Sequence, residues 1–344
     1  RNGAWFYGNS IFSGSNASGM TGAPEDDVYC RIHVSGASTL ETEYILLLSS
    51  AHKGWGEHLF EEGSEVLARL GVGVEVRYPV RATWDDGSIL AATRNNGVYT
   101  PTRLNVKDGG RGSFTFQNGS TLYANLFTHN CNAAFAFVFD DGTWDACGDM
   151  DFCFRYASKV SIETTGKGLT LPPADKQTYR MAAKISGTGG VVKTGAGTLA
   201  FVPHETLDAA TGTTPEPLVD DPVTWDFDGT LDIREGVVTV ANGCTRSGLL
   251  PVKVASEAEL RLASGSDVTL SMDLGYSEDA PMPESLLGKT VALPITYDGD
   301  APTKLADWEV GPVGIPQTTV RLLAENGGIF LLVERDVGFR LILK

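Results

Sequence analysis

Three pairs of adjacent Trp and Asp residues have types and spacing that could do chemistry. Each pair lies close to an Asp-Gly sequence, at Asp86-Gly87, Asp141-Gly142 and Asp228-Gly229. Sugars bind proteins by stacking on aromatic rings and by hydrogen bonding to carboxylates. The pairs therefore predict a carbohydrate site built from Trp84, Asp85, Asp86, Trp144, Asp145 and Trp225. The alternative is that the rings fill the interior and the carboxylates close turns.

A second motif, Asp226-Phe227-Asp228-Gly229-Thr230, has the form D-x-D-G-T. It resembles the nucleophile motif of haloacid-dehalogenase-type phosphatases, and the resemblance implies Asp226 as nucleophile and Asp228 as acid and base. That family needs a parallel sheet wrapped by helices. Here a Pro-rich stretch, "TTPEPLVDDPV", precedes the motif, and a strand-like stretch, "LDIREGVVTV", follows it. A motif without its context is weak evidence, so the sequence favours a turn.

Other acidic and histidine residues give weaker indications. A glycosidase would draw two carboxylates from Asp85, Asp86, Asp140, Asp141, Asp145, Asp149 and Asp151. Metal ligands could come from His52, Glu57, His58 and Glu61, but their spacing fits no established zinc pattern. Calcium could bind Asp226, Asp228 and Asp232, although the nonapeptide of calcium-binding solenoids is absent. We predict no catalytic residues, no metal and no cofactor.

The Asp-Gly sequences belong to a repeat of the form [D/N]-G-[ST] with looser copies. The glycines of its copies are 23–32 residues apart, with one step of 55, and they are Gly36, Gly63, Gly87, Gly119, Gly142, Gly197 and Gly229. A recurrence of this length is typical of a solenoid.

Short runs of alternating apolar and polar residues lie between these glycines. Examples are Phe114-Thr115-Phe116 and Leu260-Arg261-Leu262, and this period of two predicts strands with one apolar face. A turn of chain cannot bury such a face alone, so the next turn must cover it. The predicted fold is therefore all-β, a parallel, right-handed β-helix or solenoid. Only "GEHLFEEGSEVLARL" suggests a helix, interrupted by Gly63.

The segment "KISGTGGVVKTGAGTLAF", from Lys184 to Phe201, carries a more specific pattern. It resembles the autotransporter-associated β-strand repeat of bacterial surface proteins. The matching positions are Gly187, Gly189, Gly190, Lys193, Gly195, Gly197, Thr198 and Leu199. The resemblance covers about 18 residues closely and implies an exported β-helical passenger or stalk, without implying any chemistry.

The pattern of short alternating apolar and polar runs changes near residue 273. We predict a β-solenoid over residues 1–273, with an irregular first 25 residues, and a small antiparallel β cap over 274–344. Within the cap, Asn326-Gly327-Gly328 predicts a hairpin turn. An open solenoid end exposes unpaired strands, so a cap is physically expected.

The composition argues against two classes of partner but does not identify the function. The net charge of −16 and the scattered basic residues argue against nucleic acid and anionic lipid as partners, and no stretch is long enough to insert in a membrane. Five Cys residues cannot all pair within the chain. We predict a non-enzymatic extracellular or bacterial cell-surface scaffold, stalk or adhesin, whose partners are glycans, other surface proteins or further copies of itself. The alternative is a β-helical polysaccharide-binding or polysaccharide-degrading protein.

Overall fold

A computed structural model describes residues 5–13, 28–47, 55–74, 79–106, 111–129, 135–152, 160–203, 225–244 and 248–336. Most of the residues that the structure describes lie in strands. The described residues contain no α-helix, and their only helical turns are the 3-10 helices Glu284–Leu286 and Leu305–Asp307. The all-β prediction is confirmed.

The strands form three long sheets and one hairpin. The first sheet contains β1 (Trp5–Ser13), β3 (Thr39–Leu47), β5 (Glu65–Val74), β7 (Ile89–Ala91), β10 (Thr102–Val106), β12 (Thr121–His129), β14 (Gly142–Asp145), β17 (Leu169–Leu171), β20 (Val191–Lys193), β23 (Leu231–Ile233), β25 (Leu250–Val254), β27 (Leu270–Met272) and β29 (Glu309–Val310). The second contains β2 (Val28–Val34), β4 (Trp55–Phe60), β6 (Pro79–Trp84), β11 (Arg111–Gln117), β13 (Phe135–Asp140), β16 (Val160–Thr164), β19 (Lys184–Gly187) and β22 (Trp225–Phe227). The third contains β15 (Met150–Phe152), β18 (Thr178–Met181), β21 (Thr198–Phe201), β24 (Gly236–Val240), β26 (Ala258–Leu262), β28 (Thr290–Tyr297), β30 (Thr318–Glu325) and β31 (Gly328–Arg335). The hairpin pairs β8 (Thr93–Asn95) with β9 (Val98–Thr100).

Strand order within each sheet follows the order of the chain, apart from the last two strands of the third sheet. From β1 to β14 the chain alternates between the first and second sheets, leaving this alternation only for the hairpin. From β14 to β22 it visits the first, third and second sheets in rotation, and afterwards it alternates between the first and third. The pairs are parallel except in the hairpin and where β31 pairs with β28 and β30. These long parallel sheets are compatible with the predicted solenoid.

Apolar side chains from the facing strands form one main core, which is distinct from a smaller cluster around Met282. The centre of the main core is an aromatic stack in which neighbouring ring centroids lie 4.8–5.9 Å apart, running through Phe60, Trp84, Phe116, Phe139 and Trp144. Each of these residues is at most 1% exposed. Such ring pairs contribute roughly 0.5–1.5 kcal/mol beyond the burial of their area.

The repeated [D/N]-G-[ST] sequences form the corners between the second and first sheets. The Gly63 amide donates to the Asp86 carbonyl (2.8 Å), and the Gly87 amide donates to the Asn118 carbonyl (3.0 Å). Asp86 and Gly87 have φ values of 49° and 73°, which Asp and Gly tolerate better than other residues. Each corner therefore hydrogen-bonds to the corner that follows it in the chain.

Two details of the sequence prediction are corrected. Gly197 lies at a different corner, between β20 and β21, where a Cβ atom would clash with the carbonyl oxygens of Pro173 and Ala174. The segment predicted as a possible helix forms β4 and β5 instead. Glu62 and Gly63 between these strands have φ values of 56° and 69°, and both strands pair with neighbours in their sheets, so tertiary pairing overrides a local helical spacing.

In the segment from Lys184 to Phe201, the structure explains why glycines and a lysine occur together. A Cβ atom on Gly190 would lie 2.4 Å from the Thr230 carbonyl oxygen, so only Gly lets the two corners approach this closely. The Lys193 side chain is fully buried, and its Nζ donates to the carbonyls of Thr194 (3.0 Å), Gly195 (2.6 Å) and Glu235 (2.8 Å). Burial lowers the pKa of Lys193 to about 8. The side chain is therefore still charged at neutral pH, where the three carbonyls solvate its ammonium in place of water.

The residues predicted as a cap contain antiparallel strands. The Asn326-Gly327 turn has φ values of 49° and 79° and joins β30 to β31, so the hairpin prediction is confirmed. Within the same region β28 pairs in parallel with β26, and β29 pairs in parallel with β27. The last segment is thus built directly onto the first and third sheets.

We predict that Lys193→Met lowers the free energy of unfolding by about 2 kcal/mol, because three buried carbonyls lose their donor. Urea denaturation measures this. Lys253→Met is the matched control, since Lys253 is an exposed strand lysine and surface changes usually stay within about 0.5 kcal/mol. Equal effects of the two substitutions would contradict the assigned role of Lys193.

Candidate functional site

The structure buries two of the three Trp residues predicted to bind sugar. Trp84 is 1% exposed and lies between the rings of Phe60 and Phe116, each with its centroid 4.8 Å away. Trp144 is fully buried, and its Nε1 donates to the Ala124 carbonyl (2.9 Å). Neither ring offers a face to a sugar. Trp225 begins β22, and its side chain lies outside the described residues.

Asp85 and Asp86 lie at a corner. The Asp85 carboxylate accepts hydrogen bonds from the Asp86 amide and the Asn118 side chain, both at 2.7 Å. Burial alone would raise the pKa of Asp85, but the hydrogen bonds from Asn118, Gln117 and Asp86 outweigh it and lower that pKa. Asp85 is therefore ionised at neutral pH and closes a turn.

Asp145 lies at the end of β14, on the face of the first sheet opposite to Trp144. Its Oδ1 accepts from the Cys147 amide (2.7 Å) and from the Tyr179 hydroxyl (3.1 Å). Burial, together with the Asp145 charge, raises the pKa of Cys147 to about 12. The thiol is thus protonated at neutral pH, and a thiol is a poor nucleophile.

The β8–β9 hairpin lies over this same face of the first sheet. Residues 92–101 interrupt one passage through the sheet, so that β7 and β10 both pair with β5. Glu65 of β5 is only 8% exposed. Its carboxylate accepts from the Tyr99 hydroxyl (2.7 Å) and from the Thr39 hydroxyl (3.3 Å), and it forms an ion pair with Arg94.

A pair of half-buried tyrosines continues the cluster across the sheet. The rings of Tyr99 and Tyr123 stack with centroids 4.8 Å apart. Burial raises the pKa of both phenols. The hydrogen bond to Glu65 raises the pKa of Tyr99 further, and the charge of Asp145 raises that of Tyr123 further. We call Glu65, Arg94, Tyr99, Tyr123 and Asp145 the hairpin site.

The hairpin site offers aromatic surface, two carboxylates and a guanidinium. Arg94 is exposed, its pKa is raised by Tyr99 and Glu65, and both phenols stay protonated at neutral pH. Such groups can hydrogen-bond a polar, hydroxylated ligand. Proton transfer at neutral pH needs a group that titrates there, and the shifts of Tyr99 and Tyr123 move them away from that range.

Sequence reasoning found Asp145 but missed the other four residues of this site. The available signal was "RNNGVYT", where Asn96-Gly97 between two short strand-like runs indicates a hairpin. Nothing local shows that this hairpin folds back over β5 and β12, because that contact is tertiary.

Most other candidate acids form ion pairs or hydrogen bonds elsewhere. Asp151 binds Arg180 through two bonds of 2.6 Å, Asp141 binds Lys167 (2.8 Å), and Asp149 accepts from the Thr178 amide (2.8 Å). Glu57 pairs with Arg31 and Glu61 with His33. His52 lies outside the described residues. Within the described ranges, no three acidic, His or Cys side chains are close enough to hold a metal ion.

The D-x-D-G-T residues lie on β22 and the corner after it. Asp226, Asp228 and Thr230 are exposed, and β23 follows directly at Leu231. Asp232 pairs with Arg234 at 2.8 Å. The arrangement is the turn that the flanking sequence favours, with a strand and not a helix after it. In the described part of the chain, no helix is long and apolar enough to cross a membrane.

His58 is buried, being 3% exposed, and its Nδ1 accepts from the Ile32 amide (3.1 Å). Burial lowers its pKa from 6.5 to about 4. Between these two values the unfolded chain binds more protons at this position than the folded chain. Protonation therefore favours unfolding, and the stability that neutral His58 gives above pH 6.5 is lost as the pH falls toward 4.

We predict that the free energy of unfolding falls by up to about 3 kcal/mol through His58 between pH 6.5 and pH 4. Urea denaturation at several pH values measures this. His58→Gln should flatten the pH dependence in that window, because the glutamine side chain takes up no proton there. An identical slope in wild type and His58→Gln would show that the carboxylates alone account for it.

The comparisons with known proteins found no counterpart of this chain: no family model, no curated protein and no solved structure matches it.

Proposed function

We propose that this chain is a right-handed parallel β-helix that serves as a non-enzymatic extracellular or bacterial cell-surface scaffold, stalk or adhesin. The observation that carries the proposal is the first sheet, in which twelve successive levels of parallel strands, from β1 to β29, follow chain order. At about 4.8 Å per level the ladder is about 50 Å long. Parallel crossovers are right-handed in nearly all proteins, which supports the handedness.

The surface charges support a structural role. Several ion pairs join neighbouring strands of one sheet: Glu43 to Arg69, Arg31 to Glu57, and Asp151 to Arg180. Each such exposed pair contributes at most about 1 kcal/mol to the free energy of unfolding. Their contribution is therefore to stabilise the contact between one strand and the next. These charges are spread along the sheets instead of meeting in one cleft, which is the arrangement expected of a scaffold.

A glycan-binding activity is the second candidate, and the hairpin site favours it. Tyr99 and Tyr123 are half-buried, so part of each ring remains accessible, and Arg94 and Asp145 lie in the same cluster as hydrogen-bonding groups. The partner in this reading is a polysaccharide at the surface of a cell. The buried Trp84 and Trp144 take no part in it.

The scaffold proposal predicts an elongated particle located outside the cytoplasm. A sphere of 344 residues would have a diameter of about 50 Å. Small-angle scattering of the dilute protein should give a radius of gyration above the roughly 20 Å of a compact chain of this length, because the strands stack along one axis. Antibodies should label intact cells or the culture medium. A globular scattering curve, or protein confined to the cytoplasm, would overturn the proposal.

A glycan array and a reducing-sugar assay separate the two candidates. The scaffold proposal predicts that no polysaccharide is cleaved, and release of reducing ends by the purified chain would contradict it. If a glycan binds the hairpin site, Tyr123→Ala should weaken binding by about tenfold through loss of stacking. Tyr276→Ala, at a half-buried tyrosine outside the hairpin site, is the matched control. Equal loss in both variants would rule out the hairpin site.

A further inference from the structure

We propose that two copies of this chain pair through β30, in antiparallel register about a two-fold axis at Leu323. β30 forms the end of the third sheet, because among the described strands it pairs with β31 alone. This inference goes beyond the scaffold role, since it assigns an interaction surface and a partner, a second copy of the chain.

Among the described residues, the backbone groups along the outer edge of β30 have no strand partner. The Asp336 amide donates to the Gln317 carbonyl (2.8 Å), and hydrogen-bonded residues alternate along an antiparallel pair. Odd-numbered residues of β30 therefore point their backbone groups at β31. The even-numbered residues point theirs away from it, and these are Thr318, Val320, Leu322 and Ala324.

The side chains of the same even-numbered residues include incompletely buried apolar groups. Leu322 and Ala324 pack against the main apolar core, and Val320 and Leu322 pack against a smaller core around Met282. All three remain only half-buried. A further strand at this edge would pair the backbone groups and cover these side chains together.

The charges on the other face of β30 select both the partner and the register. Arg321 and Glu325 are exposed, with Leu323 half-buried between them. A two-fold axis at Leu323 places Arg321 opposite the partner's Glu325, and Glu325 opposite the partner's Arg321. The same axis places Leu322 opposite the partner's Ala324, both with outward backbone groups, so the hydrogen-bond pattern and the charge pattern agree.

Other axes along β30 are less favourable. An axis at Arg321 or at Glu325 would place like charges opposite each other, which destabilises a strand pair. An axis at Leu322 or Ala324 would leave both charges opposite uncharged residues. Arg321 already lies 3.8 Å from Glu334 of its own chain, so the proposed pair would place it between two carboxylates.

An axis at Leu323 pairs residues 321–325 of each copy, and the outward backbone groups of Leu322 and Ala324 supply its hydrogen bonds, so the contact is small. Interfaces of this size lie at the weak end of specific association. We therefore expect a dissociation constant in the micromolar range or weaker, and a dimer that is visible only in concentrated protein or where many copies are held close together.

Sedimentation equilibrium over a range of concentrations tests the proposal. Wild type should dimerise, and Arg321→Glu and Glu325→Arg should each weaken the dimer by about tenfold or more, because each replaces two attractive pairs with two repulsive ones. The double variant Arg321→Glu with Glu325→Arg should restore wild-type affinity. Lys289→Glu is the matched control, an exposed charge reversal at the residue before β28, on the other side of β31.

Unchanged urea midpoints show that the variants keep the fold. A wild type that stays monomeric at every concentration overturns the proposal. So does a dimer that neither single variant weakens, or one that the double variant fails to restore. If a chain truncated after Asp336 dimerises and wild type does not, residues 337–344 and not a second copy occupy this edge, and the proposal is wrong.

Discussion

The backbone hydrogen bonds between parallel strands that follow one another in chain order hold this molecule together. Each strand of the first sheet is hydrogen-bonded to its neighbour on both sides, and the end strands β1 and β29 to one neighbour each. This ladder fixes the distance between levels at about 4.8 Å. It therefore sets how closely side chains must stack inside and how closely corners must approach outside.

The close spacing explains the residues found at the corners. Where two corners touch through their backbones there is no room for a Cβ atom, as at Gly190 against Thr230. Where a corner turns its carbonyls inward, a donor must be supplied, and Lys193 supplies three hydrogen bonds from one buried ammonium. The close approach of neighbouring corners thus explains both the glycines and the buried lysine of this segment.

Departures from the regular ladder are where this chain offers specific surfaces. The β8–β9 hairpin interrupts one level and brings Arg94 and Tyr99 onto Glu65 and Tyr123, which creates a cluster of unlike groups on an otherwise repetitive face. At the other end, β28 turns from a parallel partner to an antiparallel one. That change leaves β30 as an edge strand with a definite order of charges.

The amino-acid sequence by itself determined the all-β class, the corners at the repeated Asx-Gly sequences and the hairpin at Asn326-Gly327, because these depend on local alternation and on residues that tolerate positive φ. It also indicated that Asp228-Gly229 is a turn, since no helical pattern follows it. Only the tertiary structure decided that Gly197 belongs to another corner, that the stretch around Gly63 is two strands, and that Trp84 and Trp144 face inward. The hairpin site is likewise tertiary, because Glu65, Tyr99, Tyr123 and Asp145 come from separate strands that meet only when the levels stack.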